Sequence, residues 1–167
     1  MADEWITSNY NAVDIIEYEM TIGKRRRIED FCIEFFKDWE TCAQLPLVQV
    51  CQRVIKEKKH YTITQDLSTY LTIDNFDVSF RTMCLELFKD TVKDGHVVSL
   101  LVFCIELDTC LQHHTWYTLP ILVESLVNAL ACVQFNPSTW NQSNLIDNAV
   151  TSFIIIVPLL FFYTLFK

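Results

Sequence analysis

The chain has 167 residues, of which 51% are hydrophobic and 20% are charged, and its formal net charge is −8. This length fits one domain with a substantial core, and the high apolar content excludes a disordered chain. The negative charge argues against a nucleic-acid partner, because phosphate binding requires a basic surface. With only 2 glycines and 4 prolines, the chain lacks the turn residues of a many-stranded protein, so helices are favoured.

Apolar periodicity predicts two helices in the N-terminal third, Ala12 to Ile22 and Ile28 to Trp39. Gly23 and the basic run Lys24 to Arg27 are expected to separate them. That run is compatible with a lipid-facing or targeting patch and also with a solvated helix flank. The N-terminal sequence MADEWITSNYN is acidic and polar, so it does not resemble a signal peptide.

The middle of the chain continues with helical patterns. Pro46 fits the first turn of a further helix. A capping-box pattern at Thr62 and Gln65 predicts a short helix through Leu71. The possible caps before the next helix, which is clearly amphipathic from Phe80 onward, are Asp74, Asn75 and Asp77.

After Gly95 the chain is apolar on all sides of a helical period, which is typical of a buried helix. We therefore predict a central core helix over about 95–111, with other helices packed round it. A further apolar helix is expected from Leu119 to Phe135. Asn136 and Pro137 resemble the start of another helix, from Ser138 to about Asn148.

The C-terminal segment Thr151 to Phe166 holds no charge. As a helix it would span roughly 24 Å at about 1.5 Å per residue, against about 30 Å of bilayer hydrocarbon, and Pro158 lies in its middle. It could anchor the chain in a membrane or form a final helix of the domain. We therefore predict a domain over 1–150, in which 1–25 could form an N-terminal extension, and a hydrophobic tail over 151–167.

Signals of catalysis are weak. There is no P-loop, GxGxxG, GxSxG or HExxH pattern. Cys110, His113 and His114 could supply two or three metal ligands, but a metal site needs more ligands in a fixed geometry. The seven cysteines, an odd number without a CxxC pair, predict buried thiols in a reducing compartment. We expect a protein that is not an enzyme and holds no cofactor or metal.

Gly95 belongs to a longer pattern: Phe80-x-Thr82-x-x-x-Glu86-Leu87-Phe88-Lys89-Asp90-x-Val92-x-x-Gly95-x-Val97-Val98. This pattern resembles the first homology motif of the Bcl-2 family of apoptosis regulators. Leu67 to Ile73 is similar to the segment that joins the family's third and fourth helices. Trp140-Asn141-Gln142 stands where the second homology motif is expected, and a hydrophobic tail is also a family feature.

The resemblance implies an all-α, Bcl-2-like bundle of about seven or eight helices round a buried central helix. It also implies an inhibitor of apoptosis that sequesters pro-apoptotic relatives by binding their amphipathic helix in a hydrophobic groove. The compact length before the motif is similar to that of viral members. The expected location is the cytoplasm and the outer mitochondrial membrane or endoplasmic reticulum, in a host cell if the protein is viral.

The implied groove has an apolar part and a polar or close-contact part. The apolar residues are Val50, Cys51, Val54, Leu67, Phe80, Met83, Leu87 and Val98, and the others are Glu86, Gly95 and His96. Each apolar residue is equally compatible with the protein interior. For Gly95 the resemblance implies close approach of a ligand helix, whereas a turn that requires a positive φ is the folding alternative.

Three departures from the motif weaken the implied ligand contacts. Lys93 and Asp94 replace an Asn-Trp pair, and His96 replaces an arginine that pairs with a ligand aspartate. We therefore expect a restricted range of ligands. The alternative is a Bcl-2-like scaffold whose groove is occluded or degenerate, and which acts by dimerisation or by binding a signalling adaptor.

Overall fold

The computed structural model of the protein describes residues 12–41, 45–57, 62–89, 94–137 and 156–166. These residues form seven α-helices and no strand, so the all-α prediction is confirmed. The helices are α1 (Ala12–Thr41), α2 (Pro46–Glu57), α3 (Thr62–Ser68), α4 (Ile73–Leu87), α5 (Asp94–Leu111), α6 (Leu119–Cys132) and α7 (Ile156–Phe166). The helix predicted from Ser138 and the Trp140-Asn141-Gln142 match lie outside the described residues.

The helix α5 is the centre of the bundle, as its sequence predicts. It is apolar on every side, and every residue from Val97 to Leu107 is buried. Four helices, α2, α3, α6 and α7, pack against it. Full burial of an apolar side chain contributes roughly 1.5–3 kcal/mol, so α5 is the largest single contributor to the core.

The prediction of two helices in the N-terminal third is wrong, because α1 is one helix of 30 residues. Lysine and arginine are good helix formers, and a glycine inside a helix costs only about 1 kcal/mol. Gly23 has no positive φ, and apart from its chain neighbours and the adjacent backbone of its own helix no atom lies within 4 Å of the position that a Cβ would take. The residues from Ile22 to Arg27 are exposed, whereas Ile28, Cys32, Phe35 and Phe36 are buried. The helix α1 packs on α6 and α2.

A capping box fixes the start of α4, but at a residue that the sequence analysis did not select. The backbone N–H of Thr72 donates to Asn75 Oδ1 at 2.8 Å, and the N–H of Asn75 donates to Thr72 Oγ1 at 3.3 Å. Asn75 is therefore the third residue of the helix rather than its N-cap. The proposed caps Asp74 and Asp77 also lie inside the helix.

Asp77 ties α4 to α6. Its Oδ1 accepts a hydrogen bond of 2.9 Å from Ser125 Oγ, and its Oδ2 forms an ion pair with Arg81. Partial burial acts to raise the pKa of Asp77. The hydrogen bonds from Arg81 and Ser125 and the charge of Arg81 together outweigh this effect and lower the pKa below its usual value.

The helix α6 ends at Cys132, three residues before the predicted end at Phe135. The N–H of Phe135 donates to the Leu130 carbonyl at 3.0 Å, and the N–H of Gln134 donates to the Ala131 carbonyl at 3.1 Å. These two bonds define a Schellman motif, whose left-handed position usually holds glycine. Here Gln134 takes that position with a φ of 58°, which costs a non-glycine residue roughly 1–2 kcal/mol.

The described part of the hydrophobic tail is the helix α7, which packs on the domain. It lies against α3, α4 and α5. None of the helices within the described ranges is both long and apolar enough to cross a membrane.

Candidate helix-binding groove

The helix α7 lies on a surface that α3, α4 and α5 form together. Its anchor is Phe161, whose side chain is fully buried. The ring centroid of Phe161 lies 6.1 Å from that of Phe80 on α4 and 5.5 Å from that of Phe103 on α5, both with edge-to-face geometry. This surface therefore accommodates an apolar helix through an aromatic side chain that enters a pocket between two helices.

The margins of α7 make further contacts. The ring of Phe166 packs edge-on against Tyr70, at a centroid distance of 4.9 Å. The hydroxyl of Thr164 donates to the Phe161 carbonyl at 2.8 Å and lies 3.4 Å from the carbonyl of Ser79 on α4. The recorded contacts of α7 are thus mostly apolar, so burial of apolar surface holds the helix in place.

The opposite face of α7 is also apolar but exposed. Leu159 and Phe162 are 50% and 40% exposed, and Tyr163 and Phe166 are 62% and 53% exposed. A helix that is apolar all round is normally covered on every side. Here only the face that carries Val157 and Phe161 is covered by the domain.

The eight apolar residues of the predicted groove are all buried, with exposed fractions of 9% or less. Among them, the ring of Phe80 packs against the ring of Phe161 on α7. Leu67, Met83 and Val98 lie on the three helices that surround α7. Val50, Cys51 and Val54 lie on α2, which packs on α5 and α1. The structure therefore places Phe80 against α7, puts the other α3, α4 and α5 residues in the core of the helices that hold α7, and buries the α2 residues on a helix that packs on α5.

The other predicted groove residues are more accessible than the apolar ones. Glu86 is exposed and accepts a 3.3 Å contact from Lys89 Nζ. Gly95 and His96 are partly buried at the start of α5, and the His96 ring lies 6.1 Å from the Phe88 ring. Gly95 has no positive φ, so the folding alternative of a left-handed turn at this residue is wrong.

A buried polar pair beside the groove escaped the sequence analysis. Thr64 Oγ1 on α3 donates to Glu106 Oε2 on α5 at 2.9 Å, and the two residues are only 1% and 6% exposed. Glu106 follows the apolar run inside the predicted helix 95–111, and the sequence analysis did not predict that its carboxylate is buried. Its hydrogen bond joins α5 to α3.

The thiols of the core are protected rather than activated. Cys32, Cys51, Cys84 and Cys104 are fully buried. Burial raises the pKa of Cys32 to about 12, with a smaller contribution from the Glu29 charge, and burial likewise raises the pKa of the other three. A reactive cysteine needs a lowered pKa, so none of these four has the electrostatics of a nucleophile.

The residues considered as metal ligands do not form a cluster. In the part of the chain that the structure describes, no three histidine, cysteine or acidic side chains come together as a metal site. The His114 ring packs on Trp116 at 5.6 Å, and Cys110 is partly buried.

Two clefts lie between α1 and α6, away from the predicted groove, and the sequence analysis identified neither. One has a volume of about 580 Å³, with an apolar floor that includes Phe36, Val123 and Val127 and a rim of mixed charge. The other has a volume of about 420 Å³ and a basic lining. Helix periodicity predicts which residues face α6, but not the spaces left between the helices.

Comparisons with known proteins find no matching family model, no similar curated protein and no similar solved structure. The resemblance to the Bcl-2 family therefore stays a prediction from the motif residues of the sequence, with which the all-helical bundle is compatible.

Proposed function

We propose that this chain is a non-enzymatic, Bcl-2-like inhibitor of apoptosis, which binds the amphipathic helix of pro-apoptotic relatives on the surface of α3, α4 and α5. The observation that carries the proposal is that this surface already holds an apolar helix of the same chain. Phe161 of α7 packs between Phe103 and Phe80, a residue of the stretch that resembles the first homology motif. A ligand helix with a large apolar residue at the same place would use the same pocket.

The proposal implies competition between the ligand and α7. A ligand that needs the covered surface binds only the fraction of molecules in which α7 has left, so its apparent affinity falls by that fraction. This cost favours a restricted ligand range. Once released, α7 offers an apolar helix to an intracellular membrane. We thus propose the cytoplasm and the outer mitochondrial or endoplasmic reticulum membrane as its locations.

The test is binding of a panel of labelled ligand-motif peptides to the full-length chain, compared with the Gly95→Glu variant. Gly95 has no positive φ and is partly exposed, so we expect the variant to fold. The added carboxylate should clash with a ligand helix and repel its acidic residue. Loss of such a contact typically costs at least about 2 kcal/mol, or roughly thirtyfold in affinity.

The other glycine provides a matched control. Gly23 also lies in a helix, is exposed and has no atom near its Cβ position. Gly23→Glu adds the same group outside the predicted groove and should leave peptide affinity unchanged. A folded Gly95→Glu protein that binds peptides as tightly as the wild type would contradict the groove proposal.

A second candidate function is a scaffold with an occluded groove, which acts by dimerisation or through a signalling adaptor. Its supporting observation is that α7 packs on α3, α4 and α5 and places Phe161 against Phe80. The two functions predict different results for a variant in which α7 packs less stably on α3, α4 and α5. A variant with a destabilised α7 should gain peptide affinity under the first function and show no peptide binding under the second.

A further inference from the structure

A basic cleft of about 420 Å³ separates the middle of α1 from the end of α6. Its volume lies in the usual range for a small-molecule site. The lining comes from Lys24, Arg25, Arg27 and Ile28 of α1, and from Ala131, Gln134, Phe135, Asn136 and Pro137 at and beyond the end of α6.

The charge in this cleft differs from that of the molecule as a whole. The chain has a net charge of −8, yet three cations and no carboxylate are among the residues that line the cleft. The fourth cation of the run, Arg26, is exposed and is not part of the lining. All four cations are exposed, and the helical period turns Arg26 away from the side of α1 that carries the other three.

Arg25 is held against α6. Its Nη2 donates to Asn128 Oδ1 at 2.5 Å, which fixes one side of the guanidinium. Arg25 also lines the neighbouring cleft, whose rim includes Glu29 and Glu40. The lining of the basic cleft itself contains cations without an acidic residue.

Gln134 supplies the second observation. It is the non-glycine residue with a positive φ in the described ranges, and it occupies the position of the Schellman motif where glycine costs least. Backbone strain of this kind tends to persist where a side chain has a function. The carboxamide of Gln134, like that of Asn136, belongs to the lining of the cleft, and a carboxamide N–H can donate to an anion.

We propose that this cleft binds a phosphate ester that carries at least two negative charges, presented by a soluble molecule or by a lipid headgroup. Arginine guanidinium groups pair with phosphate oxygens bidentately, and the lysine adds a further charge. Ile28, Phe135 and Pro137 provide an apolar wall for the carbon skeleton of the ester. The proposal does not depend on the proposed groove function. The helix α7 packs on α3, α4 and α5, whereas the cleft is formed by α1 and the end of α6.

The first test uses inositol trisphosphate as a soluble probe, titrated into the full-length chain by calorimetry. Arg27→Gln removes a cation from the lining, and Arg26→Gln removes one from the same run outside it. Losing a charge-assisted contact should weaken binding about tenfold for Arg27→Gln, whereas Arg26→Gln should change it less than about twofold. Equal weakening by the two variants would overturn the proposal.

Gln134→Gly separates a binding role from a structural one. Glycine relieves the left-handed backbone, so the urea midpoint should rise, while loss of the carboxamide should weaken probe binding. A purely structural role predicts the higher midpoint with unchanged affinity, and that result would overturn the role assigned to Gln134.

The second test distinguishes the source of the phosphate. The full-length chain is sedimented with phosphatidylcholine vesicles that contain phosphatidylinositol bisphosphate, and with vesicles of equal net charge made with phosphatidylserine. Preference for the bisphosphate vesicles that Arg27→Gln abolishes, and Arg26→Gln does not, assigns the site to a lipid headgroup. Soluble binding without that preference assigns it to a free phosphate ester. Failure of both probes to bind would refute the proposal.

Discussion

Replacement of Phe161 by alanine should release α7 from the surface formed by α3, α4 and α5. The side chain is fully buried between Phe80 and Phe103, at ring distances of 6.1 and 5.5 Å. Truncation of a buried phenylalanine typically costs about 3–5 kcal/mol, and each aromatic pair accounts for about 0.5–1.5 kcal/mol of such a loss. The substitution destabilises the docked state by nearly all of this free energy. In the undocked state, the side chain at position 161 is exposed in both the wild type and the variant.

This free energy sets the size of the expected effect. Since about 1.4 kcal/mol corresponds to a factor of ten, the docking equilibrium shifts roughly a hundredfold to several thousandfold toward release. Peptide affinity can rise by no more than this factor, and the gain stops once most molecules have released α7.

The assay is fluorescence anisotropy of a labelled ligand-motif peptide with the full-length protein. Phe162→Ala is the matched control, because Phe162 is the next residue of the same helix and is 40% exposed. We expect tighter binding for Phe161→Ala alone, together with faster proteolytic cleavage within the tail. Faster cleavage without any gain in affinity would refute the idea that α7 covers the ligand surface.

The other predictions concern the domain itself. Asp77 has a lowered pKa in the folded state, so its contribution is fully present above the ordinary carboxyl pKa of about 4 and is lost as pH falls through the lowered value. Asp77→Asn should therefore flatten the acid side of the urea-midpoint profile, and an unchanged acid side would contradict this role. Exposed Cys132 should react with iodoacetamide before the buried core thiols, and peptide mass spectrometry would reveal any other order. Thr64→Val should lower the free energy of unfolding by about 1–3 kcal/mol, since it leaves the buried Glu106 without its Thr64 partner, while Thr64→Ser keeps the hydroxyl and should cost only about 1 kcal/mol for the lost methyl group.

The sequence predicts some helices of this fold more accurately than others, because some residue patterns fit one structure and others fit several. The central position of α5 follows from its apolar residues, because a helix that is apolar all round has to be buried. The continuity of α1 through Gly23 does not follow, because a glycine and four adjacent cations are as typical of a linker as of an exposed helix. The start of α4 was predicted near the right place but at the wrong residue, since several polar residues in succession can each act as a cap.

The candidate groove shows a second property of the structure that local sequence patterns do not predict. Periodicity identifies Phe80 and Met83 as members of an apolar face, but it does not identify what covers that face. An uncharged segment such as Ile156–Phe166 can be buried equally well by lipid or by protein. Its contact with α3, α4 and α5 is a long-range property, which local sequence patterns do not contain.

The hydrogen bond between Thr64 and Glu106 has a consequence for local stability. A helix of seven residues is far below the length that persists alone in water, so α3 owes its structure to α5 and α7, the two helices against which it packs. When α7 departs, α3 keeps its contacts with α5, among them this bond. Departure of α7 therefore weakens α3 without releasing it from α5, and the amide protons of α3 should exchange with solvent faster in the undocked state than in the docked one.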